Sequence, residues 1–178
     1  MLMNATLWLV TYLERRVQAT VSSTLARRHW ICWTDASGAA RLIAAVIASP
    51  SGIFFARARV PDWIWRQLLP REDDQIGVQE ALAIWLLVSS FKSRLIDSLV
   101  SIFVDNDGVS ASFINGSSDC PEVNAMVAVL WLLMAELRCD SVFHRVESAS
   151  NIADRPTRLD KEGCQFLEVA GAARCMSS

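Results

Sequence analysis

Apolar and polar residues follow two rhythms along this chain, and each change of rhythm marks an element. Over residues 5–28, Leu7, Val10, Leu13, Val17 and Val21 recur at three-to-four spacing with Glu14, Arg15 and Arg16 between them, which predicts an amphipathic helix. From Trp30 the pattern turns β-like in three runs, 30–34, 42–48 and 53–60. The second and third are joined by Ser49-Pro50-Ser51-Gly52, a turn signal, so the three runs predict an antiparallel meander. Pro61 ends it, and the segment to Gln75 is polar and Pro-punctuated around an apolar Trp63-Ile64-Trp65 insert. A helix with a very apolar face is predicted from Glu80 to about Leu95, then a buried strand over 99–104 and a short helix to Ile114. After the loop Asn115-Gly116-Ser117-Ser118, Pro121 sits near the first position of a long apolar helix reaching Arg138. Residues 141–146 read as a last strand, leading to Asp154 at the start of a terminal helix.

After the N-terminal helix, the order is therefore β-β-β-α-β-α-α-β-(α). Crossovers through helices imply parallel pairing for the later strands. The expected fold class is α/β, with a five-stranded mixed sheet (three antiparallel strands plus two parallel ones) flanked by helices. The chain has 178 residues, 52% of them apolar, enough for one well-buried domain and not for two. The pattern divides it into an N-terminal helix over 1–28, a domain over 29–158 and a tail over 159–178. Helix 1–28 reads as the connection to an upstream domain that covers its apolar face.

A net charge of −2 provides no general pull toward nucleic acid, so any such binding must rest on local Arg clusters and metal ions. Five scattered cysteines with no C-x-x-C argue against a disulfide framework and a structural zinc site, and for a reducing compartment. The longest apolar stretch, 123–137, contains Asn124 and Glu136 and is too short to span a bilayer. The start lacks a basic n-region and a small-residue cleavage site. The expectation is an intracellular protein, cytoplasmic or nuclear, with no membrane partner.

Four acids change the picture. Asp35 and Asp105 each close an apolar run as residues at buried strand ends would, Glu80 lies in the first turn of its predicted helix, and Asp154 opens the terminal one. Such a fold can bring all four carboxylates to one end of the sheet. Buried carboxylates repel one another and cost several kcal/mol to desolvate unless cations neutralise them. A divalent site explains the set better than stability does. Two cations about 4 Å apart would suit in-line phosphoryl displacement, and hard oxygen donors favour Mg²⁺ or Mn²⁺ over zinc.

These pieces resemble a known family. Thr34-Asp35-Ala36-Ser37, the helix start Gln75-Ile76-x-x-x-Glu80, Val104-Asp105-Asn106, Asn115-Gly116-Ser117-Ser118 and Asn151-Ile152-Ala153-Asp154-Arg155-Pro156-Thr157-Arg158 resemble, in order, the ribonuclease H domains fused to reverse transcriptases of DIRS-like and other retroelements. The last piece is similar to the family's N-x-A-D-x-x-S-R ending, with Thr157 in place of Ser. The resemblance implies a ribonuclease H-like fold over about 30–158 and two Mg²⁺ or Mn²⁺ ions. Asp35 would bridge both ions, Glu80 and Asp105 would complete one, and Asp154 would help hold the other. It also implies hydrolysis of the RNA strand of an RNA–DNA hybrid, leaving 5′-phosphate and 3′-hydroxyl ends, beside a tethered reverse transcriptase domain. The 2′-hydroxyls in the hybrid's minor groove identify the RNA strand. Ser37, Gly38, Gln75 and Asn106 lie near the acids in sequence and are the candidate nucleic-acid contacts.

Two departures from the family stand out. Ala149-Ser150 occupies the place of a mobile His found in many cellular relatives. His144 lies inside the predicted strand and reads as a packing residue, with a catalytic role as the second reading. A basic hybrid-gripping insertion is missing between the last two helices, so weak binding by the domain alone is expected. Proofreading-type exonucleases share the fold and four acids. They pair the first Asp with a Glu two residues on and place a His or Tyr shortly before the last Asp, where this chain has Ser37, Ala149 and Ser150. A non-catalytic ribonuclease H-like docking module of a reverse transcriptase or host complex is the alternative function.

Overall fold

Strand β1 (Arg28–Ser37) alternates as a half-covered strand should: Trp30, Cys32 and Thr34 are buried, while His29 and Ile31 face out. The computed structural model describes residues 27–71 and 75–158 and the backbone of 173–174. The predicted helix over 5–28 and the Glu72-Asp73-Asp74 loop lie outside the described residues, apart from 27–28, as does most of the tail. Arg28, placed in that helix by its sequence pattern, begins β1 instead.

Strands β2 (Leu42–Ser49) and β3 (Gly52–Arg59) complete the antiparallel meander. Their hairpin closes with Ser49 opposite Gly52, so Pro50-Ser51 is a two-residue loop, and the Ser51 amide donates to Ser49 Oγ at 3.2 Å. Strand β4 (Ser98–Val104) pairs parallel to β1, and β5 (Asp140–Arg145) parallel to β4. The five expected strands thus form one mixed sheet. A two-residue strand, β6 (Ala173–Arg174), adds to its far edge parallel to β3, for the order β5-β4-β1-β2-β3-β6.

Helix α1 (Asp62–Trp65) turns the Trp63-Ile64-Trp65 insert into one helical turn after Pro61, in a segment to which the sequence pattern assigned no element. Trp65 packs against the core with the Arg41 guanidinium 4.3 Å from its ring centre, whereas Trp63 is exposed. Helix α2 (Ile76–Ser90) starts a full turn before the predicted Glu80, so Glu80 lies in its second turn. Gly77 and β-branched Val78 are poor helix formers, but burial of Val78 overrides propensity. The helix breaks at Phe91, earlier than predicted. Ser89 Oγ donates back to the Trp85 and Leu86 carbonyls, Phe91 turns into the core, and a separate turn follows as α3 (Lys92–Leu95).

Helix α4 (Asp107–Asn115) ends on Gly116 at φ 71°, a left-handed cap that glycine adopts without strain. Helix α5 (Pro121–Glu136) begins with Pro at its first turn, as predicted. A 3₁₀ turn (Ser148–Ser150) and α6 (Asp154–Thr157) end the described domain.

Two apolar clusters flank the sheet. The large one joins Trp30, Cys32 and Ile102 of the sheet to Ile84 and Leu87 of α2, Phe113 of α4, and Leu130 and Met134 of α5. Each fully buried large side chain contributes about 1.5–3 kcal/mol, a surplus that lets the fold tolerate buried charge. On the opposite face Val46, Phe55 and Ala153 form a small cluster with Trp33, Ile53 and Ile152. Among the described residues no helix is long and apolar enough to cross a membrane.

Candidate active site

Parallel register builds the site. β1 and β4 pair Trp33 with Phe103, and the same offset carried two residues on sets Asp35 beside Asp105. Asp35 is 5% exposed inside β1, and Asp105 follows the last residue of β4. Glu80, 3% exposed, reaches the same point from α2 and accepts a hydrogen bond from the Ala36 amide at 3.2 Å. One carboxylate oxygen from each of Asp35, Glu80 and Asp105 lies within 4.8 Å of the others.

Two like charges at that spacing repel by about 3–4 kcal/mol at an effective dielectric near 20, against about 1 kcal/mol from a typical hydrogen bond. The trio therefore holds protons or a cation. Burial, above all, lifts the Asp35 carboxyl to about 7; the Thr157 hydroxyl opposes this, and the Asp105 and Asp154 charges add to it. Burial, reinforced by the charges of Asp35 and Asp105, lifts Glu80 to about 9. The second Glu80 oxygen, Oε2, is buried with no hydrogen-bond partner. A divalent cation matches every one of these features: oxygen-only donors, crowded negative charge and a lone buried acceptor.

Asp154, the first residue of α6, stands beside this trio and outside it. Its Oδ2 accepts from Arg158 Nε at 2.8 Å and pairs with Nη2 at 2.5 Å. Its charge is still felt at Asp35. The candidate nucleic-acid contacts divide. Ser37 ends β1, half-buried. The Gly38 carbonyl accepts from Gln79 Nε2 at 3.2 Å. Gln75 is buried in the left-handed region at φ 60°, its side-chain amide donating to the Leu69 carbonyl. Asn106 caps α4, with Oδ1 accepting from the Val109 amide at 3.0 Å, and lines a cavity of about 230 Å³ with Arg71, Gly77, Gly108 and Ser118.

His144 is in its predicted strand, but its ring faces out, opposite buried Phe143. It stacks on Phe103 (centroids 5.0 Å), which stacks on Trp33 (5.7 Å), a row across β5, β4 and β1. Thr157 and Arg158 are the site neighbours that residue-by-residue reading missed. The one signal pointing to them is their place in the Asn151–Arg158 motif.

No protein-family profile matches this chain, and no curated protein matches it. Solved structures do. Ribonuclease H1 from the halophilic archaeon Halobacterium salinarum NRC-1 is 13% identical over 70% of this chain and 90% of its own, with a TM-score of 0.50. LC11-RNase H1, isolated from compost by a metagenomic approach, is 15% identical over 72% and 92%, with a TM-score of 0.51. The fold is that of ribonuclease H. The structure of LC11-RNase H1 in complex with an RNA/DNA hybrid is also similar, at 18% identity over 68% and 88% and a TM-score of 0.50. In this ribonuclease H fold the three clustered carboxylates stand at one end of the central β1–β4 pair.

Proposed function

We propose that this chain is a metal-dependent endonuclease that hydrolyses the RNA strand of RNA–DNA hybrids. The observation that carries the reading is the group of Asp35, Glu80 and Asp105: three carboxylates converging on one point, with Glu80 Oε2 buried and unpaired. These residues would hold Mg²⁺ or Mn²⁺, with Asp154 completing a second position. When bound, two such cations activate the attacking water and offset charge on the phosphate during in-line displacement. The chain's own part is positional. The β1–β4 register sets the spacing of Asp35 and Asp105, the Ala36 amide orients Glu80, and burial excludes the solvent that would weaken their hold.

The hybrid is the proposed substrate because the fold and the motif set agree, and because LC11-RNase H1 of the same fold binds one. Ser37, Gly38, Gln75 and Asn106 are the proposed contacts around the acids. The cavity beside Asn106, at the starts of α2 and α4, suits a backbone phosphate. The five-motif resemblance supports a place within a retroelement reverse transcriptase, with residues 1–28 as the connection to the upstream domain. A tether of that kind would raise the effective concentration of hybrid for a domain with little grip of its own.

The test is cleavage of an end-labelled hybrid with and without Mg²⁺ or Mn²⁺. Metal-dependent products with 5′-phosphate and 3′-hydroxyl ends are expected. An inert chain in both metals would instead favour the docking-module alternative.

A further inference from the structure

The C-terminal motif Asn151–Arg158 holds three polar side chains besides Asp154 that each make a defined bond, and two of them fasten it to consecutive residues of β1. Asn151, buried, donates from Nδ2 to the Thr34 carbonyl at 2.9 Å, and its Oδ1 accepts from the Ala153 amide at 3.2 Å. Thr157, 1% exposed, donates from its hydroxyl to Asp35 Oδ2, and the same oxygen lies 2.8 Å from the Asp154 carbonyl. Arg158 then holds the Asp154 carboxylate.

The geometry points to Thr157 as the positioning residue of the carboxylate site, acting through Asp35. Its hydroxyl occupies one of the two Asp35 oxygens and so fixes the rotation of that carboxylate toward Glu80 and Asp105. The Asp154 carbonyl is a second acceptor beside the same hydroxyl, so its single proton lies between an α6 backbone oxygen and the β1 carboxylate. Asn151 sets the distance over which this can happen, since its bond to Thr34 pins the other end of the segment to the residue before Asp35. A β-branched side chain suits the task because its χ1 angle is restricted, which keeps the hydroxyl aimed. Partners behind a ligating group of this kind tune metal affinity by about 10–100-fold when removed.

This role rests on the metal-binding part of the proposed function, and its test is binding of Mn²⁺ alone to the full-length chain, read by titration calorimetry, with melting and hybrid cleavage in parallel. Thr157→Val keeps the shape and removes the hydroxyl; it is expected to weaken Mn²⁺ binding about tenfold or more and to lower kcat more than it raises KM. Thr157→Ser restores the hydroxyl and is expected to recover most of the affinity. Phe113→Leu, in the core on the other face of the sheet, serves as the stability control, lowering melting without changing Mn²⁺ affinity. If Thr157→Val melts lower but binds Mn²⁺ as wild type does, the role is merely structural and the inference falls. If Mn²⁺ binding depends on the hydroxyl but no hybrid is cleaved, the inference stands and the proposed function falls. A wild-type chain that binds no Mn²⁺ overturns both.

Discussion

Asp35, Glu80 and Asp105 are fixed by the central strands and a fifteen-residue helix, whereas Asp154 rides on a four-residue helix tied to β1 by side-chain bonds. The trio is crowded and largely desolvated, and the Arg158 charge offsets only part of the rise at Asp35. The fourth acid is half-exposed and already paired with Arg158. The rigid part of the site therefore stores electrostatic repulsion that the large core sustains, while the adjustable part stores almost none. A cation should relieve the first and only rearrange the second.

The largest expected effect breaks the trio. Asp35→Asn or Asp105→Asn should reduce hybrid cleavage by about 10³-fold or more, an effect of roughly 4 kcal/mol on the barrier. Melting should stay level or rise, because one of several repelling charges is gone. Near-wild-type cleavage by either variant in the labelled-hybrid assay would refute the metal assignment.

Next comes pH. Both shifted carboxyls have folded-state values above their unfolded ones, Asp35 at about 7 against 3.8 and Glu80 at about 9 against 4.5. The folded state thus binds more protons than the unfolded state across that window. Metal-free stability is greatest below about pH 4 as far as these two groups are concerned, and falls as pH rises toward 9. Melting scans in chelator should drop by about 5 °C or more between pH 5 and 9, and added Mg²⁺ should restore more at the upper end. Glu80→Gln, which mimics the protonated acid, should flatten the slope. A metal-free melting point that rose over this range would contradict the desolvated trio.

The fourth acid responds less. Arg158→Ala removes a mostly exposed ion pair, so melting should change by less than about 1 kcal/mol equivalent. Hybrid cleavage should fall by about tenfold at most, since about 1.4 kcal/mol of barrier corresponds to that factor. A loss as large as that of Asp35→Asn would mean that the two parts of the site are equally rigid.

His144→Ala is the smallest. Losing the stack on Phe103 costs about 0.5–1.5 kcal/mol, seen as a few degrees of melting, with turnover little altered. A hundredfold loss of rate at unchanged melting would give His144 the catalytic role instead.

The contrast also explains what could be read from residues alone. Asp35 and Asp105 were legible because each ends an apolar strand pattern, and strand pattern plus crossover connections implies their pairing. The meander was legible in Ser49-Pro50-Ser51-Gly52, and α5 in Pro121. Helix α2 was misjudged at both ends because local propensity disfavours Gly77 and Val78 while burial of Val78 decides the matter, and because Ser89 and Phe91 break it through bonds and packing absent from any periodicity. α1 was missed since four residues are too few to show a period. Thr157 and Arg158 could be seen only as family letters. The job of Thr157 depends on a strand more than a hundred residues earlier.

That separation has a consequence for how the molecule comes into being. The bond between Thr157 and Asp35 spans 122 positions, and β1 meets β4 only after the other two meander strands and three helices have been made. Parallel, non-local pairings of this kind form late, because chain closure must precede any reward from contact. During synthesis the chain thus stays without a finished centre until its last described helix has left the ribosome. On the proposed function, a nascent or truncated copy without α6 would lack both Asp154 and the Thr157 bond to Asp35, and would cleave poorly any hybrid it met.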